Sequence, residues 1–143
     1  MPPAYRGSCH CGAVGFVLQT GLAPDHWSIR ACQCSFCRAH GAESMSDRNG
    51  EIRFAIKDAT RLQRYRFGLQ TADFLLCQNC GVYIGAVIAT ERGPFGIVNV
   101  RALCERPEGL ARAVPVSYDG EDSDARAARR EEKWMRVMRM PGV

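Results

Sequence analysis

Short apolar runs separated by Gly, Pro, Asn and Asp fill most of the chain before residue 101. In one of them Ile52, Phe54 and Ile56 share one face of an extended segment, which follows a turn at Asn49 and Gly50. Such alternation is typical of strands with one buried face. We predict strands over residues 14–18, 27–32, 52–56, 62–67, 73–77, 82–88 and 96–101. This set predicts a mainly β, antiparallel domain, with no helix before residue 120.

A helical pattern replaces the strands near the C-terminus. Ser123 is a favourable N-cap, Asp124 suits the positive end of a helix dipole, and acidic and basic residues follow at i,i+4 spacing. These features predict a helix over residues 124–138. The stretch 107–122, which contains prolines and an Asp-Gly pair, is predicted to be a connecting loop.

The predicted helix has an apolar face formed by Trp134, Val137 and Met138. An apolar face on an otherwise charged helix packs on its own domain or on a second copy of the chain. A homodimer is therefore one of the two arrangements that we expect. We divide the chain into a β domain over 1–122 and a C-terminal helical segment over 123–143.

The chain of 143 residues has the composition of one ordinary globular domain. It is 46% hydrophobic and 24% charged, values that argue against a disordered or fibrous protein. The net charge of +4 comes from 19 Lys and Arg against 15 Asp and Glu. Nearly all the cations are arginines, but they are scattered along the chain rather than gathered in one block, so nucleic acid is not the favoured partner.

Two observations predict a cytoplasmic protein with no membrane segment. Residues 1–12 lack the apolar stretch of a secretory signal, and the best apolar run, 82–89, is too short to cross a bilayer. Thiols stay reduced in the cytoplasm. The eight cysteines are closely spaced and therefore indicate metal binding or catalysis rather than disulfides.

One cysteine pair has the spacing of a zinc knuckle. Cys77 and Cys80 form a C-x-x-C pair followed by Gly81, and glycine allows the backbone conformation with which such a turn closes. A closed structural zinc site needs four ligands, so a second pair must come from elsewhere in the chain, and Cys9 and Cys11 are the natural donors. The alternative is a disulfide or a set of inert buried thiols. The reducing compartment favours zinc.

A second cluster, formed by Cys32, Cys34 and Cys37, offers three thiolates within one short segment. Three protein ligands and one exchangeable position are typical of a catalytic zinc. Three thiolates make the ion a mild Lewis acid, which is better suited to bind and deprotonate a soft thiol than to generate hydroxide. This cluster, called the triad below, therefore points to a thiol substrate.

Two other interpretations of the triad stay open at this stage. His40 lies three residues after Cys37 and could complete a closed Cys₃His structural site. The three cysteines could instead form a metal-free redox or sensor cluster if Arg30 and Arg38 lower their thiol pKa values. The remaining cysteine, Cys104, is predicted to be a small buried hydrophobic residue.

The cysteine series has the order found in a known family. Four segments carry it: Gly-Ser-Cys-His-Cys-Gly-Ala-Val at 7–14, Cys-Gln-Cys-Ser-Phe-Cys-Arg at 32–38, the stretch from Phe74 to Cys-Gln-Asn-Cys-Gly at 77–81, and Val-Asn-Val-Arg at 98–101. Over residues 7–122 the chain resembles the glutathione-dependent formaldehyde-activating enzyme family, which includes centromere protein V. The resemblance implies a β-tent fold, a structural zinc on the two outer cysteine pairs and a labile zinc on the triad.

The resemblance also implies an activity. We expect a carbon-sulfur lyase-type enzyme, similar to S-hydroxymethylglutathione synthase, that acts on adducts of glutathione with a small aldehyde such as formaldehyde. Glutathione would be the co-substrate. Cys32, Cys34 and Cys37 would be catalytic through their zinc, and Arg38 would hold a glutathione carboxylate. The alternatives are a non-catalytic zinc module that binds protein or nucleic acid, and a thiol redox sensor that uses Cys34.

Overall fold

Eleven strands and two α-helices form the chain over residues 2–139, which are the residues that a computed structural model describes. The strands are β1 (Ala4–Ser8), β2 (Val14–Gln19), β3 (Ile29–Cys32), β4 (Ser44–Met45), β5 (Glu51–Ile56), β6 (Leu62–Tyr65), β7 (Asp73–Cys77), β8 (Tyr83–Thr90), β9 (Gly93–Asn99), β10 (Val114–Val116) and β11 (Met135–Arg139). The helices are α1 (Ser35–His40) and α2 (Ser123–Lys133). Met1 of the predicted β domain and residues 140–143 of the predicted C-terminal segment lie outside the described residues.

All eleven strands belong to one hydrogen-bonded sheet that branches at β9. Along the main path the order is β1-β2-β5-β11-β9-β4-β3-β10, and β8, β7 and β6 continue from the other edge of β9. Most neighbours are antiparallel, but β11 runs parallel to β5 and β10 runs parallel to β3. The branch at β9 lets the sheet fold over itself and enclose apolar side chains on both faces.

The strands at the branch separate two apolar clusters. On β8 and β9, Ile84 and Val98 belong to the larger cluster, whereas Tyr83 and Ile97 belong to the smaller one. Successive side chains of a strand point to opposite faces, so both faces of this part of the sheet are covered. All four of these side chains are buried. The smaller cluster packs against the triad, as described below.

The predicted fold class is confirmed. It is mainly β, and the resemblance describes it as a β-tent. Strand β7 has the predicted bounds, and the other predicted strands overlap observed ones. Strands β1, β4 and β10 were not predicted. The predicted loop over 107–122 is wrong at residues 114–116, which pair with β3. Strands β4 and β10, with two and three residues, are too short to show a period of their own, and the five residues of β1 include only one large apolar side chain, that of Tyr5.

The predicted C-terminal helix is correct in its first part and wrong after Lys133. Helix α2 begins at Ser123, and its N-cap is Asp122, whose Oδ1 accepts a hydrogen bond from the Ala125 N–H at 2.8 Å. The chain then enters β11, which lies between β5 and β9 in the sheet. Tertiary pairing with two strands overrides helix propensity there.

The predicted apolar helix face does not exist as such. Trp134 is buried at the end of α2, and Val137 is buried in β11, but Met138 is 44% exposed. Met135 and Val137 point into the larger core while Arg136 between them is exposed, which is the period of a strand. Neither described helix is long and apolar enough to cross a membrane.

Candidate functional site

The sulfur atoms of Cys9, Cys11, Cys77 and Cys80 lie within 4.8 Å of one another. The distance from Cys11 Sγ to Cys9 Sγ is 3.7 Å, and from Cys11 Sγ to Cys77 Sγ it is 3.5 Å. Four thiolates at about 2.3 Å from a tetrahedral ion lie about 3.8 Å apart. The four sulfurs, called the outer site below, therefore fit one ion of zinc size.

Two turns of the sheet bring the outer site together. In the β1–β2 turn the Cys9 N–H donates to the Val14 carbonyl at 2.8 Å, and the Val14 N–H points back to Cys9 Sγ at 3.4 Å. In the β7–β8 turn the Cys80 N–H points to Cys77 Sγ at 3.4 Å. Gly81 closes that turn with φ of +81° and donates to the Cys77 carbonyl at 2.8 Å. The predicted glycine requirement of the knuckle is confirmed.

The thiols of the outer site differ in acidity. Hydrogen bonds from the Asn79 side chain and the Ala13 backbone lower the pKa of Cys11 from 9.0 to about 6. Burial raises the pKa of Cys77 to about 11. One sulfur is therefore a thiolate at neutral pH while another keeps its proton. A metal ion that binds all four must displace that proton.

The three sulfurs of the triad also lie within 4.8 Å of one another. Cys32 ends β3 and Cys34 is the N-cap of α1, where its sulfur accepts a hydrogen bond from the Cys37 N–H at 3.4 Å. Gly41 ends the helix in the left-handed conformation, with φ of +59°. The expectation of no helix before residue 120 is therefore wrong, and Gly41 was the sequence signal for this single short helix.

Helix α1 does not bring His40 into the triad. The metal-ligating atoms that meet within 4.8 Å are those of the three cysteines alone among the residues described. The His40 ring packs on Phe36 and Tyr83, with ring centroids 4.5 and 5.8 Å away. The triad thus offers three sulfurs, and His40 is not placed to complete a four-ligand site.

Sulfur-to-sulfur contacts dominate the acidity of the triad. The hydrogen bond that Cys37 makes with Cys32 lowers the pKa of Cys32 to about 5, and the same contact raises the pKa of Cys37. Arg129 also contributes to the low pKa of Cys32. The cluster is thus partly ionised at neutral pH, which suits a site for a soft cation.

A cavity of about 100 Å³ adjoins the triad. Its apolar wall includes Phe67, Phe74 and Trp134. Its polar wall contains four arginines, which come from β3 and α2: Arg30, Arg126, Arg129 and Arg130. The sequence interpretation named Arg30 only as a neighbour of the triad and did not consider the three arginines of α2.

The arginine first chosen from the sequence lies elsewhere. Arg38 is exposed on α1 and does not line the cavity, although it follows Cys37 directly in sequence. The prediction for Cys104 is wrong, since this thiol is exposed rather than buried. It follows β9 and the short 3-10 helix Val100–Ala102, in the segment that leads to β10. Of the eight cysteines, the seven others form the two clusters.

Two of the cavity arginines share one carboxylate. Glu121 accepts hydrogen bonds from Arg129 at 2.9 Å and from Arg126 at 3.2 Å. These bonds, that from Arg129 most of all, lower the pKa of Glu121. The Arg129 guanidinium also stacks 3.5 Å from the centroid of the Tyr118 ring. This network fixes the start of α2 against the chain that leaves β10.

The fold and the two cysteine clusters define a small β protein that could hold metal ions through cysteine sulfurs alone. A family model described as glutathione-dependent formaldehyde-activating enzyme matches residues 4–116, so the chain belongs to that family. A crystal structure of a Rhodobacter sphaeroides protein is similar, at 32% identity and a TM-score of 0.58, over 78% of this chain and 99% of that one. The family match includes both cysteine clusters and ends before α2.

Proposed function

We propose that the protein is a zinc-dependent carbon-sulfur lyase-type enzyme that reversibly joins glutathione to a small aldehyde such as formaldehyde. Family membership supports the two reactants. The observation that carries the proposal is the three-sulfur triad beside an arginine-lined cavity, because this arrangement offers a metal position next to space for an anionic thiol.

The chemistry of the donor sets supports zinc in both sites. Clusters made only of thiolates select zinc among the common divalent ions. Four sulfurs in the outer site would close the coordination shell and serve the fold. Cys32, Cys34 and Cys37 would hold the second ion, which when bound would accept a thiol sulfur and favour its thiolate form.

The residues around the cavity would orient the reactants. Phe67 and Trp134 form part of an apolar wall, which would limit the contact of the reacting atoms with water. The cavity arginines would hold a carboxylate, which fixes the thiol in one orientation. Arg38 stays a candidate for a second carboxylate of glutathione outside the cavity.

The reaction itself is an addition and its reverse. The thiol of glutathione gives its proton to solvent, its sulfur forms a bond to the carbonyl carbon, the carbonyl electron pair moves to the oxygen, and that oxygen takes a proton from solvent. Cleavage runs through the same atoms in the opposite order. The sulfur must approach one face of the aldehyde. We therefore expect the protein to accelerate the reaction mainly by holding the two reactants in the correct relative position.

Exchange spectroscopy by NMR tests this proposal. The rate of exchange between formaldehyde, glutathione and their hemithioacetal would be measured with and without zinc-loaded protein. We expect faster exchange with the protein, and a loss of at least roughly tenfold of that acceleration in Cys34→Ser. Cys104→Ser is the matched control, since Cys104 is an exposed thiol outside both clusters. No acceleration by the wild type would refute the activity.

A further inference from the structure

The four cavity arginines differ in their counter-charges. Arg126 and Arg129 are paired with Glu121. Within residues 2–139, Arg30 and Arg130 form no ion pair with a carboxylate. Two guanidinium groups that contact no carboxylate therefore line the cavity beside the triad.

Arg130 is the more unusual of the two, because it is only 7% exposed. Its Nη1 donates to Thr71 Oγ1 at 2.8 Å, and its guanidinium carbon lies 4.8 Å from the centroid of the Trp134 ring. Its Nε has no hydrogen-bond partner in the part of the chain that the structure describes. A buried donor without a partner is costly, so a group that reaches this nitrogen would be bound favourably.

The charge of Arg130 persists at neutral pH. Burial, together with the nearby Arg129 and Arg126, lowers its pKa to about 10. The side chain is therefore still protonated under ordinary conditions; Glu121 acts on it from a distance, but no carboxylate contacts it. A planar carboxylate matches the fork of a guanidinium better than any neutral group does.

Arg30 is held in place by hydrogen bonds that run through Ser46. Its Nη2 donates to Ser46 Oγ at 2.8 Å, and Ser46 Oγ donates in turn to the Lys133 carbonyl at 2.8 Å. This chain of hydrogen bonds connects β3 to the last residue of α2. The two unpaired guanidinium groups are thus fixed by the same helix end.

We propose that Arg130 and Arg30 form a carboxylate subsite for the reactant at the triad, and that α2 supplies Arg130 to it from outside the family match. This inference rests on the proposed function for the identity of the reaction. The binding of a carboxylate by these two arginines does not depend on that reaction. Formaldehyde has no charge that could meet these groups. The carboxylate therefore belongs either to the thiol, as in glutathione, or to the aldehyde, as in a 2-oxo acid.

The size of the cavity limits what enters it. A space of about 100 Å³ corresponds to roughly three waters at about 30 Å³ each. One end of a tripeptide or a whole small oxo acid fits such a space, and because the cavity opens to solvent, the rest of a longer molecule can extend out of it. The subsite thus selects a carboxylate that lies close to the reacting atoms.

Binding by zinc-loaded protein tests the subsite without any turnover. S-methylglutathione, which has carboxylates but no thiol, and glyoxylate would each be titrated by calorimetry into wild type, Arg130→Gln and Arg30→Gln. We expect the wild type to bind at least one probe, and each substitution to weaken that binding roughly tenfold to a hundredfold. Binding of S-methylglutathione identifies the thiol as the source of the carboxylate, and binding of glyoxylate identifies the aldehyde.

The control is Arg92→Gln, because Arg92 is exposed and pairs with Glu131 of α2 at 3.0 Å. It should bind the probes as the wild type does. Zinc content and circular dichroism would verify the fold, and Arg30→Gln decides the question if Arg130→Gln does not fold. The subsite is refuted if the wild type binds neither probe, or if the folded variants bind as tightly as the wild type. The exchange assay above can fail while this binding succeeds, so the two proposals fail separately.

Discussion

The sulfur of Cys11 lies 3.5 Å from the sulfur of Cys77, although 66 positions separate the two residues in the chain. One turn at the end of β1 and another at the end of β7 are thus connected at a single point. Closing a loop of that length costs conformational entropy, which a shared metal ion would offset. The outer site is therefore expected to contribute directly to stability.

Replacing one exposed ligand of the outer site tests this contribution. Cys11→Ser should lose one zinc ion per chain and lower Tm by roughly 10 °C or more, because metal binding is coupled to folding. Metal analysis and thermal unfolding measure both effects. Cys104→Ser, which also removes an exposed thiol, should change neither. Equal results for the two variants would show that the four sulfurs do not share an ion.

Zinc affinity of the outer site should fall as the pH falls. Cys77, with its pKa of about 11, is protonated without metal across the neutral range and must lose that proton on binding. The proton of Cys77 alone makes the apparent affinity about tenfold weaker for each pH unit lost. Cys11, with a pKa of about 6, also takes up a proton in this range, so we expect a loss of about a hundredfold or more between pH 7.5 and 5.5. Competition with a chromophoric chelator of known protonation measures the change. A pH-independent affinity would contradict binding through thiolates.

Glu121 should stabilise the protein in a pH-dependent way. Its hydrogen bonds, that from Arg129 first, hold its pKa below the ordinary value of 4.5. A lowered pKa in the folded state gives stability that is present above the unfolded pKa and is lost as the pH falls through the folded one. Glu121→Gln should therefore be less stable than the wild type at pH 7 by roughly 1 kcal/mol or less. The difference in urea unfolding should shrink as the pH falls below 4.5 and vanish only below the lowered pKa of the folded state.

The strand nature of β11 can be tested with two neighbouring residues. Val137 is 4% exposed and Met138 is 44% exposed, as expected for opposite faces of a strand. Val137→Lys should cost about 3 kcal/mol or more in free energy of unfolding, because it buries a charge, whereas Met138→Lys should change it by about 0.5 kcal/mol or less. A continuous helix would place both residues on one face, so similar losses would contradict the strand.

Gly81 should resist replacement in the knuckle. Its φ of +81° is strained for any residue with a Cβ atom, so Gly81→Ala should cost about 1 to 2 kcal/mol and weaken the outer site. Gly21→Ala is a suitable comparison, since an added Cβ there meets no atom within 4 Å. Urea unfolding of the zinc-loaded proteins measures both. A neutral Gly81→Ala would remove the conformational argument for this glycine.

The two cysteine clusters could be predicted because their chemistry is encoded at short range. A C-x-x-C-Gly turn specifies its own backbone geometry, and four ligands are needed to close a tetrahedron. Cys77 and Cys80 therefore required a second pair, and the fold places Cys9 and Cys11 beside them. Local spacing was sufficient for this step.

The cavity could not be predicted, since it depends on how α2 docks. Arg38 was chosen because it follows the triad in sequence, but adjacency in sequence on a short helix places it on the exposed side. Arg129 and Arg130 line the cavity although they lie nearly one hundred positions after the triad in the chain. No local sequence pattern predicts a contact between such distant segments. Met138 is apolar although it is exposed in β11. The sequence there therefore does not show the alternation of apolar and polar residues that indicates a strand.

The central place of β11 determines when the sheet can form during synthesis. Strands β5 and β9 leave the ribosome well before residues 135–139, yet each needs β11 as a neighbour. Until then both present open backbone edges, which favour pairing with other nascent chains. A pause or a truncation late in translation should therefore yield an aggregation-prone intermediate rather than a slightly shortened protein.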